Sequence, residues 1–77
     1  MRLPSREEVD RIRREYPSGT RVVLERMDDA QAPPIGTKGT VLDVDDTGSL
    51  LMSWETGSGL NVIFGEDIVR KIKERET

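Results

Sequence analysis

The sequence predicts a mainly β fold, a small five-stranded barrel behind one N-terminal α-helix. Three observations carry that reading. Residues 20–72 contain five short runs rich in aliphatic and β-branched residues, separated by Gly, Pro and Asp turn signals. Helical spacing of apolar residues is confined to residues 5–16. The chain has 77 residues, 34% of them apolar, enough for one core, and five short strands bury a common face only by curling into a closed or nearly closed barrel. A single domain over residues 1–77 follows, with a helix at 5–16, the barrel at 19–72 and a charged tail at 73–77.

The helix begins at Ser5-Arg6-Glu7-Glu8, a capping box in which the Ser5 hydroxyl accepts from the Glu8 amide while the Glu8 carboxylate reaches back to the Ser5 amide. Val9, Ile12 and Tyr16 recur at spacings of three and four and make one narrow apolar stripe. Glu7 with Arg11 and Asp10 with Arg14 stand four apart, each pair adding roughly 0.3 kcal/mol. Pro17 and Gly19 end the helix. About twelve residues are marginal as an isolated helix, so the stripe is expected to dock, on the domain itself or on a partner.

Thr20 to Met27 is the first strand, with Val22 and Leu24 alternating against Arg21, Val23 and Glu25. Asp28 to Gly36 follows as a long surface loop, because Pro33 and Pro34 cannot donate to a ladder. Lys38 to Asp45 returns to β character. Val41 and Val44 are three apart, so facing both inward requires a bulge near Leu42 and Asp43. Gly39, at the entry of this strand, marks either a positive φ or a close approach of backbone. Asp45-Asp46-Thr47-Gly48 is a hairpin turn, and in Ser49 to Trp54 the residues Leu50, Met52 and Trp54 share one face. Glu55 to Gly59 turns again, Leu60 to Ile63 reads as a fourth strand, Phe64 to Asp67 as one helical or 3₁₀ turn, and Ile68 to Ile72 as a fifth strand.

A long loop after the first strand, tight hairpins among the next three, and a single 3₁₀ turn before a short last strand resemble the SH3-like barrel. The string Gly19-Thr20-Arg21-Val22, Met27-Asp28-Asp29, Pro33 to Val41, and Val44 to Gly48 with Trp54 ahead of Gly57 also resembles a family of short bacterial proteins, often carried on phages and mobile elements. That family is a domain of unknown function. The resemblance covers most of residues 16–72 and implies a fold and a genomic setting, without an activity or site residues. Gly-x-x-Gly-x-Val at Gly36 to Val41 is more loosely similar to the small barrels of KOW-type ribosomal and transcription factors.

Composition narrows the function. With neither Cys nor His, the chain lacks thiolate chemistry, disulfides and the commonest general base and transition-metal ligand. Ser and Thr have no His base, and Lys38 lies among glycines in a wet loop, without the burial that activates an amine nucleophile. A non-enzymatic protein with no cofactor and no metal is the expectation. Asp43-Val44-Asp45-Asp46-Thr47-Gly48 mimics the start of a calcium loop, but its twelfth position would be Trp54 and not a bidentate Glu. Gly36 to Gly39 follows a Pro-Pro pair instead of joining two helices as a nucleic-acid clamp does, and no helix follows Gly57-Ser58-Gly59 to cradle a phosphate. Without an apolar leader or an apolar run near the roughly 18 residues of a membrane span, a cytoplasmic protein without membrane association is expected.

The leading expectation is a protein-interaction module. By analogy with comparable barrels, its groove lies beside the long loop, lined by Asp28, Asp29, Pro33 and Pro34 with Trp54 near its floor. Trp54 also reads as a core residue, and one of only three aromatics, which is too few for an aromatic cage. The alternative is a nucleic-acid or ribosome-associated protein, acting through Arg11, Arg13 and Arg14 at one end and Arg70, Lys71, Lys73 and Arg75 at the other. Charge opposes it: residues 17–69 hold three cations against nine acids, and each phosphate contact would contribute a salt slope of only about −0.9. A third reading pairs the Val9, Ile12 and Tyr16 stripe with a second copy, leaving the oligomeric state open.

Overall fold

The computed structural model describes residues 3–73. The elements are α1 (Arg6–Glu15), β1 (Arg21–Arg26), β2 (Lys38–Val44), β3 (Leu50–Trp54) and β4 (Ile68–Lys71). The strands form one antiparallel sheet in the order β3-β2-β1-β4. Val22, Leu24 and Val41 are all but sealed from solvent and meet Val44, Leu50, Met52, Trp54, Val62 and Ile12 in a single core. Burying an aliphatic side chain of this size contributes about 1.5–3 kcal/mol.

The capping box forms in both directions, Glu8 N to Ser5 Oγ and Ser5 N to Glu8 Oε1, each at 3.1 Å. The stripe docks on its own domain: Val9 and Ile12 are buried, so the pairing of this face with a second copy, considered from the sequence, has lost its two central residues. Gly48 is the seat. Its φ of 77° closes the 45–48 turn, and a Cβ there would lie 3.0 Å from Pro4 and 3.2 Å from Ile12. Arg13 reaches across from α1 to the Val44 carbonyl at 3.3 Å and to Asp46 Oδ1 at 2.8 Å.

The expected bulge is present. Val41 pairs with Met52 and Asp43 with Leu51, which leaves Leu42 as the extra residue, half exposed, and lets Val41 and Val44 both point inward. A second register shift between Leu24 and Arg26 bends β1 against β4. Gly39 has no positive φ; of the two options for this glycine, close approach is the one realised. It pairs with Trp54, and a Cβ on it would stand 2.5 Å from the indole.

Two expectations change. Leu60 to Ile63 is not a strand: it contributes one antiparallel bridge, Leu50 with Val62, bonded in both directions at 2.9 and 3.0 Å. The neighbouring backbone groups are diverted to side chains, the Leu60 carbonyl to Trp54 Nε1 at 2.8 Å and the Ile63 amide to Asp67 Oδ2 at 2.8 Å, so the ladder cannot lengthen. The strand expected at 68–72 is therefore β4, ending at Lys71 and paired with β1 alone, and among the described residues the sheet has four strands and stays open between β4 and the Val62 bridge. Most of the expected charged tail, residues 74–77, lies outside the described residues. No helix among the described residues is long and apolar enough to cross a membrane.

Candidate functional site

Asp28 and Asp29 begin the long loop directly after the β1 strand end and Met27. Asp29 holds its own turn, its Oδ1 accepting from Gln31 N at 2.7 Å and its carbonyl from Ala32 N at 3.0 Å. The loop is then tied back to β1 by Gly36 N to Leu24 O at 2.8 Å and Leu24 N to Thr37 O at 2.9 Å. Opposite stands the turn at 63–67, in which the Glu66 and Asp67 amides both donate to the Ile63 carbonyl at 3.1 Å. Between these two turns lies a groove of about 320 Å³ with Asp28, Asp29, Glu66 and Asp67 around Met27, Leu60 and Ile63.

The other residues expected at this groove are placed elsewhere. Pro33 is buried and Pro34 exposed, and neither lines it; Pro34 instead caps the loop, its carbonyl accepting from the Thr37 amide at 3.0 Å and hydroxyl at 2.6 Å. Trp54 is only 3% exposed. It is core, and it acts on the groove from beneath by holding the Leu60 carbonyl. Glu66, Asp67, Leu60 and Ile63 were not anticipated at the site. The one local signal was that Glu66-Asp67 repeats the paired-acid pattern of Asp28-Asp29; that two turns 38 residues apart face each other depends on tertiary packing.

A second groove, of about 240 Å³, runs between α1 and residues 62–69. Ile12, Tyr16, Leu50, Val62, Phe64 and Val69 line it, with Arg11 and Glu15 on one rim; those two pair with each other at 3.2 Å. Lys71 packs on two of these residues, its Nζ 5.3 Å from the Tyr16 ring centroid and 3.1 Å from the Glu15 carbonyl. Burial, with help from Glu15 and against Arg11, pushes the Tyr16 phenol up from its ordinary pKa. Ile63 and Asp67 line both grooves, so the two adjoin.

Of the basic residues expected to contact nucleic acid, Arg11, Arg13, Arg70 and Lys71 are engaged within the fold. Arg11 pairs with Glu15, Arg13 with Asp46, and Arg70 with Glu25 at 3.1 Å, while Arg75 lies outside the described residues. No ion pair among the described residues involves Asp28, Asp29, Glu66 or Asp67. In the calcium-like segment, Asp45 Oδ1 accepts from the Thr47 amide and hydroxyl and from the Ser49 amide at 2.9, 2.6 and 3.0 Å, a turn's internal wiring. No group of three or more His, Cys, Asp or Glu among the described residues is placed to hold a metal ion.

The sequence pattern of a family described as a domain of unknown function, DUF4314, matches residues 5–72, from the N-cap of α1 to the residue after β4. The chain belongs to that family. The matched region contains both grooves and every residue of the core, so the fold described above is the family's domain in this chain. No curated protein and no solved structure matches the chain.

Proposed function

We propose that this DUF4314 domain is a non-enzymatic protein-interaction module, and that its partner docks at the acidic groove between the turns at 28–29 and 63–67. One observation supports it above others: four carboxylates converge on an apolar floor and no cation of the described chain neutralises them. Such a surface favours a segment with a Lys or Arg beside an apolar residue, whose charge is attracted while its stem covers Met27, Leu60 and Ile63. The same carboxylates repel a phosphate backbone, and Arg11, Arg13 and Arg70 are paired with Glu15, Asp46 and Glu25. We read the sheet as an open relative of the SH3-like barrel, on the order of its connections, and the setting as the cytoplasm of a bacterium or of a cell carrying its mobile element, on the resemblance of the 19–57 motifs.

The experiment is a side-by-side capture with the wild-type chain and the Asp28→Ala/Asp29→Ala variant from the source organism, with a fluorescence-anisotropy titration against generic RNA and DNA at low salt. A protein held by the wild type and lost by the variant is the expected result. Micromolar nucleic-acid affinity that falls steeply with salt would replace this reading with the KOW-like one.

A further inference from the structure

β4 is an edge strand whose outer side has no partner among the described residues. Register fixes which groups it offers. The Ile72 amide donates to the Arg21 carbonyl at 3.0 Å, so Val22 opposite Lys71 is a non-hydrogen-bonded pair and Val23 opposite Arg70 a bonded one. The amides and carbonyls of Val69 and Lys71 therefore turn away from β1, toward the side where the sheet stays open. Ile68 and Val69 also line the apolar groove there, and Ile68 is 48% exposed. Immediately before Ile68 comes Asp67, which belongs to both grooves.

We propose that the partner is an extended segment of another protein that adds as a fifth strand on the outer edge of β4. Its backbone bonds to Val69 and Lys71, an apolar side chain enters the groove beside Tyr16, Phe64 and Val69, and a Lys or Arg farther along meets Asp28, Asp29 and Glu66. Strand addition draws affinity from main-chain bonds and specificity from the pockets that receive alternate side chains. The occupant is cationic because the acidic groove holds four carboxylates without an intramolecular cation, and apolar at one position because the adjoining groove is lined mainly by aliphatic and aromatic side chains. The charge of the occupant rests on the reading under Proposed function; the strand addition rests on the β4 register alone.

The probe is the acetylated, amidated peptide Val-Thr-Val-Thr-Lys-Thr, whose Val and Lys side chains share one face of a strand, titrated into the full ¹⁵N-labelled chain, with Val-Thr-Val-Thr-Glu-Thr as control. Binding by the Lys peptide, at least tenfold tighter than the Glu peptide, with the Val69 and Lys71 amides shifted and slowed in hydrogen exchange, is the expected result. Val69→Pro removes one outward donor while leaving the β1 ladder intact, since proline is tolerated on strand edges, and should weaken binding at least fivefold. If that variant does not fold, the exchange rates of the Val69 and Lys71 amides in the wild type decide. Shifts confined to residues 27–29 and 60–67 would overturn strand addition and leave the acidic groove standing. Protection of β4 that is indifferent to Asp28→Ala/Asp29→Ala would keep the added strand and overturn the acidic groove. Failure of both peptides to bind overturns the inference.

Discussion

Gly39→Ala places a methyl where the Trp54 indole lies. The new Cβ would stand 2.5 Å from Cε3 and 3.0 Å from Cδ2 of that ring and 3.0 Å from the Met52 Cε, so something has to move by close to an ångström. Met52 can swing its terminal methyl. The indole cannot yield as easily, because it is 3% exposed and its Nε1 is bonded to the Leu60 carbonyl at 2.8 Å. Overpacking of this kind costs about 1–3 kcal/mol, and displacing the indole puts at risk a hydrogen bond worth about 1 kcal/mol. In a domain whose whole stability is on the order of 5 kcal/mol, that is a large share. At about 4–8 °C per kcal/mol for a chain of this size, the thermal midpoint should fall on the order of 10 °C, and further for Gly39→Val. Gly59→Ala is the control: nothing lies within 4 Å of its Cβ position and its φ is not left-handed, so it should be neutral or stabilising by about 0.5 kcal/mol through the unfolded chain. Thermal melts by circular dichroism, with emission from the single Trp, read both. A Gly39→Ala midpoint within a degree of wild type would refute the pairing of β2 with β3 that sets Gly39 against Trp54.

Three further outcomes follow from the same contacts. Burial alone would raise the Asp45 carboxyl, but hydrogen bonds from the Thr47 hydroxyl and the Ser49 and Thr47 amides, with Arg13 nearby, outweigh it and hold the pKa below the ordinary value. A depressed folded pKa means a contribution present above the unfolded value of about 3.9 and lost as pH falls through the folded one; urea titrations should therefore show wild type more stable than Asp45→Asn at pH 7 and the gap narrowing below pH 4. Arg13→Ala breaks a bridge to an Asp46 side chain that is 98% exposed, so chemical denaturation should register little or no loss; a clear loss would mean that the Val44 carbonyl bonds dominate. Trp54→Phe strips the donor from the Leu60 carbonyl and should cost about 1–3 kcal/mol, with the Leu60 and Asn61 amides exchanging faster than those of β3 by hydrogen exchange.

Local chemistry determined the elements whose causes are short in sequence. The capping box at Ser5 and Glu8, the turn wired by Asp45, and the bulge that lets Val41 and Val44 share a face are all written in spacings of a few residues, and each forms as those spacings require. Gly39 was legible as a constrained position, but only the structure decided between its two causes, since a close approach depends on which side chain arrives across the strand pair. The site divided in the same way. Asp28 and Asp29 could be placed on a loop from their neighbours, whereas Glu66 and Asp67 joined them only because the chain returns 38 residues later to the same end of the sheet. Leu60 to Ile63 has the composition of a strand and becomes a single bridge, because Trp54 and Asp67 take the backbone groups that a ladder would need. Propensity acts over neighbouring residues; competition for a carbonyl by an indole six positions away, and an edge left unpaired as its consequence, exist only after the chain has packed.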